Sequence, residues 1–158
     1  MSAKTTRRFF SRETEVEVDI HAAAATVWAL LTDGAAYPRW TATVVSLEGK
    51  IAVGERLKLR SSLDPKRTFT LKVRVCEAQE RLVWGDAMGQ RTYELASSAP
   101  GVVRFRMHEK IGGPIFPLFA SMIPPFDESF DRFAADLKKE AETRAHDGAP
   151  RGEPAGSA

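Results

Sequence analysis

Cysteine is nearly missing from this chain: Cys76 stands alone among 158 residues. One thiol cannot build an intrachain disulfide framework, nor a thiolate metal site. Histidine is scarce as well, and His21, His108 and His146 lack the spacing by which neighbouring imidazoles share a metal. No glycine-rich phosphate loop with its Lys-Ser/Thr pair follows a strand and opens a helix. Ser61, Ser62, Ser97 and Ser98 have no His-Asp arrangement near them in the chain. Neither a metal nor a cofactor is therefore expected.

A lopsided charge is lacking too. Twenty-three Lys and Arg against 21 Asp and Glu leave a formal charge of +2, without the concentrated basic face of a nucleic-acid binder. The opening residues have no apolar stretch of about 7–15 residues that would read as a secretory signal, so a cytoplasmic location is expected. The run IGGPIFPLFASMIPPF (111–126) carries no charge in a chain that is 28% charged. At sixteen residues it falls short of the roughly 20 that a membrane-spanning helix needs. Pro114, Pro117, Pro124 and Pro125 would also break a continuous helix. This segment packs on its own protein, touches a membrane surface or covers something.

What is present is alternation. In ETEVEVDIH (13–21), Val16, Val18 and Ile20 share one face, and Glu15, Glu17 and Asp19 the other. In 56–60 and 67–77, Leu57, Leu59, Phe69, Leu71, Val73 and Val75 point inward, while Lys58, Arg60, Lys72 and Arg74 form a solvated outer face. TATVVSLEG (41–49), RLVWG (81–85), RTYELAS (91–97) and VVRFRMHEK (102–110) complete a count of seven strands. Period two with one polar side means an antiparallel sheet with one face wet.

Two helical zones interrupt the strands. AAATVWALLTD (23–33) ends at an Asp-Gly breaker, and Trp28 on it packs against the sheet. Residues 126–142 place Phe126, Phe130, Phe133, Leu137 and Ala141 on one apolar stripe, with Glu128 and Arg132 as an i,i+4 pair. Residues 1–12 are expected to be flexible and 143–158 to be a disordered tail, leaving one domain over 13–142. The economical arrangement is α+β: a curved sheet wrapped around a long C-terminal helix.

At this point VDIHAAAATVWALLTDGAAYPRW, EGKIAVGERLKL, RLVWGDAMGQRTYEL, VRFRMHEKIGG and FDRFAADLKKEAE resemble, in order, the START-like superfamily called SRPBCC and its polyketide cyclase/dehydrase-like branch. The resemblance implies a helix-grip fold with an internal cavity for an apolar ligand. It does not choose among carriers of lipids and sterols, aromatase/cyclases, quinone binders and chaperone co-factors. It also implies that 111–125 lies over the cavity mouth as a lid, and that the first and last strands are neighbours, which places Glu15, Glu17 and Asp19 to pair with Arg104 and Arg106.

The candidate ligand-binding residues are Trp40, Leu59, Phe69, Leu71, Trp84, Tyr93, Phe105, Met107, Phe119, Met122, Ile123, Phe126 and Phe130. For the aromatic set and the lid, ordinary core packing is the competing reading. Two charges break the inward pattern. Continuing Val103, Phe105, Met107 reaches Glu109, and counting back from Leu95 and Tyr93 reaches Arg91. They either fray into solvent at strand ends, orient the polar end of a ligand, or act as an acid/base pair. The sequence favours a non-enzymatic binder or carrier of a small hydrophobic, lipid-like or aromatic molecule. An aromatase/cyclase or dehydratase-like enzyme and a protein-interaction module are the alternatives.

Overall fold

Period-two alternation builds the sheet where it was expected, and one strand arises without it. The computed structural model describes residues 2–148. The eight strands are β1 (Lys4–Arg7), β2 (Ser11–Ile20), β3 (Val44–Glu48), β4 (Arg56–Ser61), β5 (Phe69–Glu77), β6 (Arg81–Gly85), β7 (Gly89–Ala99) and β8 (Val102–Gly112). They pair antiparallel in the order β1-β2-β8-β7-β6-β5-β4-β3.

The strand count is therefore eight, not seven. The added strand, β1, lies in the segment expected to be flexible; KTTR holds no apolar residue and so shows no alternation. Long-range bonds hold it. Thr5 Oγ1 donates to Asp127 at 2.5 Å and bonds Thr14 Oγ1 at 2.9 Å, and the Ala3 amide donates to Asp131 at 2.6 Å.

Four helices accompany the sheet: α1 (Ala24–Thr32), α2 (Tyr37–Trp40), α3 (Phe116–Phe119) and α4 (Asp127–Asp147). The last lies along β2 and against α1 and α2, burying Phe130, Phe133, Ala134, Leu137 and Ala141. The stripe is the one read from the sequence. Phe126 precedes the helix, and its carbonyl accepts the Phe130 amide at 2.8 Å. Acidic Asp127 and Glu128 open the helix and basic Arg144 and His146 close it, as the helix dipole favours. Arg132 bonds forward to Asp136 at 3.0 Å rather than back to Glu128, because Asp136 is already fixed by the Ala42 amide. The helix continues past residue 142 to Asp147, and residues 149–158 of the expected tail lie outside the described residues.

A bulge corrects one strand assignment. The β5–β6 register shifts between Val73 and Val75, so Cys76, opposite Leu82, packs against the core where Val75 was expected. On the convex face the expected ion pairs form. Arg106 bonds Glu15 at 2.6 Å, and Arg104 lies 2.9 Å from Asp19 and 3.5 Å from Glu17. Solvent screens exposed pairs of this kind, so they add little to stability.

Candidate functional site

The interior between sheet and α4 is aromatic because the inward positions of β6, β7 and β8 and one stripe of α4 converge there. Tyr93 makes edge contact with Trp84 at 5.1 Å between ring centroids, and lies 6.1 Å from Phe105 and 5.8 Å from Phe133. Phe133 meets Trp40 at 5.2 Å. Tyr37 packs on Trp40 at 5.0 Å, and its hydroxyl donates to the Leu31 carbonyl at 2.6 Å. These rings pack against one another between the sheet and α4. Two hollows lie elsewhere. One of about 150 Å³ sits where α1 begins against the β7–β8 turn, and one of about 520 Å³ is an open trough on the convex side beside Phe10, Met88 and His108.

One end of this apolar face is polar, and strand register explains it. Thr14 on β2 lies opposite Glu109 on β8, Glu109 opposite Arg91 on β7, and Arg91 opposite Trp84 on β6. Arg91 Nε donates to Glu109 Oε2 at 2.6 Å, and a second guanidinium nitrogen bonds the same oxygen. The side chains are 21% and 16% exposed, so they do not fray into solvent. The Arg91 guanidinium also lies over the Phe130 ring, 5.1 Å from its centroid. Burial, the largest single influence, would lower the Arg91 pKa, but the charge of Glu109 and the hydrogen bonds to Tyr93 and Glu109 together outweigh it, and the guanidinium stays charged. Burial raises the pKa of Tyr93 against the opposing pull of Arg91, leaving a neutral phenol beside the pair.

Arg12 is the residue that sequence reasoning missed. Continuing Ile20, Val18, Val16 backwards gives Thr14 and then Arg12, and both are buried. Arg12 donates to the carbonyls of Ile123 at 3.1 Å and Pro124 at 2.8 Å, and its guanidinium lies 4.7 Å from the Phe126 ring centroid. Among the described residues its Nε finds no partner, and neither does the buried Nε1 of Trp40. Burial and then Arg7 lower the Arg12 pKa, while Glu109 and Asp127 offset them in part.

The uncharged segment leaves β8 at Gly112, whose close approach to the β1–β2 hairpin admits no side chain: a Cβ there would stand 2.6 Å from the Phe10 carbonyl oxygen. Gly113 follows with φ of +143°, a conformation suited to glycine. The chain then forms α3, a 3₁₀ turn (Ala120–Met122) and the Pro124-Pro125 link into α4.

The thirteen ligand-binding candidates divide into three groups. Trp40, Leu71, Trp84, Tyr93, Phe105, Met107 and Phe130 are buried together in the core. Leu59, Phe69 and Phe126 are half-buried against it, with Leu59 opposite Phe69 in the β4–β5 pair. Ile123 is half-buried at the segment's end, while Phe119 and Met122 stand exposed on its outer side. Phe116 is the buried aromatic of this segment instead. In a one-turn helix the next residues face out once one side is packed, a direction no periodicity shows over four residues.

Residues 11–142 match the family described as polyketide cyclase/dehydrase and lipid transport. No curated protein sequence matches. Among solved structures, the chain is similar to a conserved protein of unknown function from Enterococcus faecalis, with a TM-score of 0.66 and 16% identity over 96% of this chain and 82% of that one. A START superfamily protein from Mycobacterium smegmatis gives 0.61 and 15%, covering 84% and 98%. A norcoclaurine synthase point mutant from Thalictrum flavum, in complex with a transition state analogue, gives 0.63 and 12%, covering 89% and 98%. At such identities these likenesses show the fold alone.

Proposed function

We propose, from the premise that this chain belongs to the polyketide cyclase/dehydrase and lipid transport family, that it binds a small, largely hydrophobic molecule between the sheet and α4. The observation that carries this reading is the Arg91–Glu109 pair, set at one end of an apolar face with the Arg91 guanidinium over the Phe130 ring. A buried ion pair contributes little net stability, since desolvation offsets its attraction. Placed beside Tyr93, it suits a molecule with one polar end. The unpartnered N–H of Trp40 supports the same reading, because a ligand acceptor would relieve a buried donor that costs about 1–3 kcal/mol.

The packed rings mean that binding requires movement. The 113–126 segment opens, Phe126 and Phe130 give way, and the ligand takes their place against Trp84, Tyr93 and Phe105. Burying about 300 Å² of apolar ligand surface gives roughly 7 kcal/mol gross at ~25 cal/mol/Å². Immobilisation and opening consume part of that, so affinities fall at roughly tens to hundreds of micromolar.

A panel of fatty acids, sterols, quinones and aromatic polyketides tests this. A binder changes tryptophan fluorescence and slows hydrogen exchange in 113–126; a panel in which no member does either removes the reading. A second reading, an enzyme of cyclase or dehydratase type, draws on the convergence of Arg91, Glu109 and Tyr93. It requires turnover of a polyketide-type substrate that Glu109→Gln abolishes.

A further inference from the structure

Among the described residues ten large hydrophobic side chains stay exposed, and seven of them belong to three neighbouring segments. These are Phe9 and Phe10 at the β1–β2 hairpin tip, Met88 in the β6–β7 turn, and the 113–122 segment, where Leu118 and Met122 project furthest. The three backbones are joined. The Gly112 amide donates to the Met88 carbonyl at 2.9 Å, and the Gly113 amide to the Phe10 carbonyl at 3.0 Å. Arg12, at the base of the hairpin, holds the far end of the segment through Ile123 and Pro124.

The hairpin tip has no local reason to be aromatic. Arg8 donates to the Ser11 carbonyl at 2.7 Å, leaving Phe9 and Phe10 as a two-residue loop. Such loops favour Asn-Gly and similar pairs. Here both positions are Phe, they pack edge-on only with each other, and they are 74% and 55% exposed. The hairpin tip itself carries charge of one sign only. Residues 2–12 carry Lys4, Arg7, Arg8 and Arg12 and no acid, and 111–126 carry no charge at all. Asp86, in the β6–β7 turn, spends its carboxylate on the Met88 and Gly89 amides of its own turn.

We infer that this end of the molecule docks on an anionic lipid bilayer, with Phe9, Phe10, Leu118 and Met122 entering the interface and Arg7 and Arg8 meeting the headgroups. Apolar side chains on separate projecting tips need no matching groove in a fluid interface, whereas a protein partner would have to supply one. A basic rim beside inserted aromatics matches the charge of that surface, and binding strength follows buried apolar area plus attraction to anionic lipid. The docking surface is independent of the interior: vesicle binding needs no ligand between sheet and helix.

Co-sedimentation with phosphatidylcholine vesicles, with and without phosphatidylserine, tests the inference. The chain pellets with the phosphatidylserine vesicles and is released as salt shortens the Debye length to about 3 Å. Leu118→Asp combined with Met122→Asp weakens binding roughly tenfold or more. Arg7→Glu combined with Arg8→Glu weakens it by about fivefold or more for each side chain, on the anionic vesicles alone. All four positions are exposed, and an unchanged melting temperature checks that the variants fold. Failure to pellet, or pelleting that ignores all four substitutions, overturns the inference. So does self-association in solution that Leu118→Asp abolishes, since the face would then belong to a second copy of the chain.

Discussion

Arg91 and Glu109 are the side chains for which packing and function make different demands. As a structural pair they depend on each other, since removing one leaves a charge with no partner in an apolar wall. Glu109→Ala is expected to destabilise by about 3 kcal/mol, and Arg91→Met with Glu109→Leu to recover most of that loss. Urea denaturation of the three proteins measures it. If the pair serves a ligand, the double variant keeps its stability and loses affinity for ligands with a polar end, whereas a purely structural pair would leave affinity unchanged. Both residues were legible in the sequence because strict alternation ran into charge at the end of an apolar series. Arg12 was not, although it lies in the same series on β2. It falls in residues 1–12, expected to be flexible, and what holds it is a bond to Ile123, 111 residues away. No local pattern announces such a contact.

At the scale of elements, α4 supplies the apolar stripe that closes the core against β2 and α1. Phe130 is 1% exposed, is stacked with Phe126 at 6.0 Å and lies under Arg91. Phe130→Ala is expected to cost about 3–5 kcal/mol; a loss below about 1 kcal/mol in a thermal melt would mean that it borders open space. The stripe was readable because five apolar residues at helical spacing leave few other solutions. The bulge in β5 was not: inserting one residue costs the sequence nothing visible and turns Cys76 inward in place of Val75. The other end of α4 is latched by Glu142. Lys138 and the His21 backbone amide both donate to its Oε1, at 2.7 and 3.0 Å, and Lys138 also donates to the Asp19 carbonyl at 2.7 Å. Burial raises the Glu142 pKa, but the bonds from Lys138 and His21 outweigh it and bring it from 4.5 down to about 2. A carboxyl depressed by folding stabilises the fold above its unfolded pKa, and that contribution disappears as pH falls from about 4.5 through about 2. With the side chain 31% exposed, solvent screening limits it to at most about 1 kcal/mol. Glu142→Gln is therefore expected to flatten the acid limb of the stability curve between those values, and an acid titration followed by circular dichroism checks it.

At the scale of the molecule, one sheet and one helix share an aromatic core with the Arg91–Glu109 pair at one end, and β8 leads into α4 through a segment too broken by proline and glycine to become regular helix. The sequence alone supported that plan, because alternation, the α4 stripe and the charge-free run each follow from local chemistry. It could not show that Trp84, Tyr93, Phe105 and Phe133 close on one another, since ring packing depends on how far the sheet curves. Whether they separate for a guest decides the account. Native mass spectrometry of the freshly purified chain, with the Arg91→Met/Glu109→Leu variant beside it, is the direct measurement. The account predicts a discrete extra mass, of a hydrophobic molecule with one polar group, on the wild-type chain and its loss from the variant. A wild-type chain that carries no extra mass, and still gains none after incubation with fatty acids, sterols, quinones and aromatic polyketides, would contradict it.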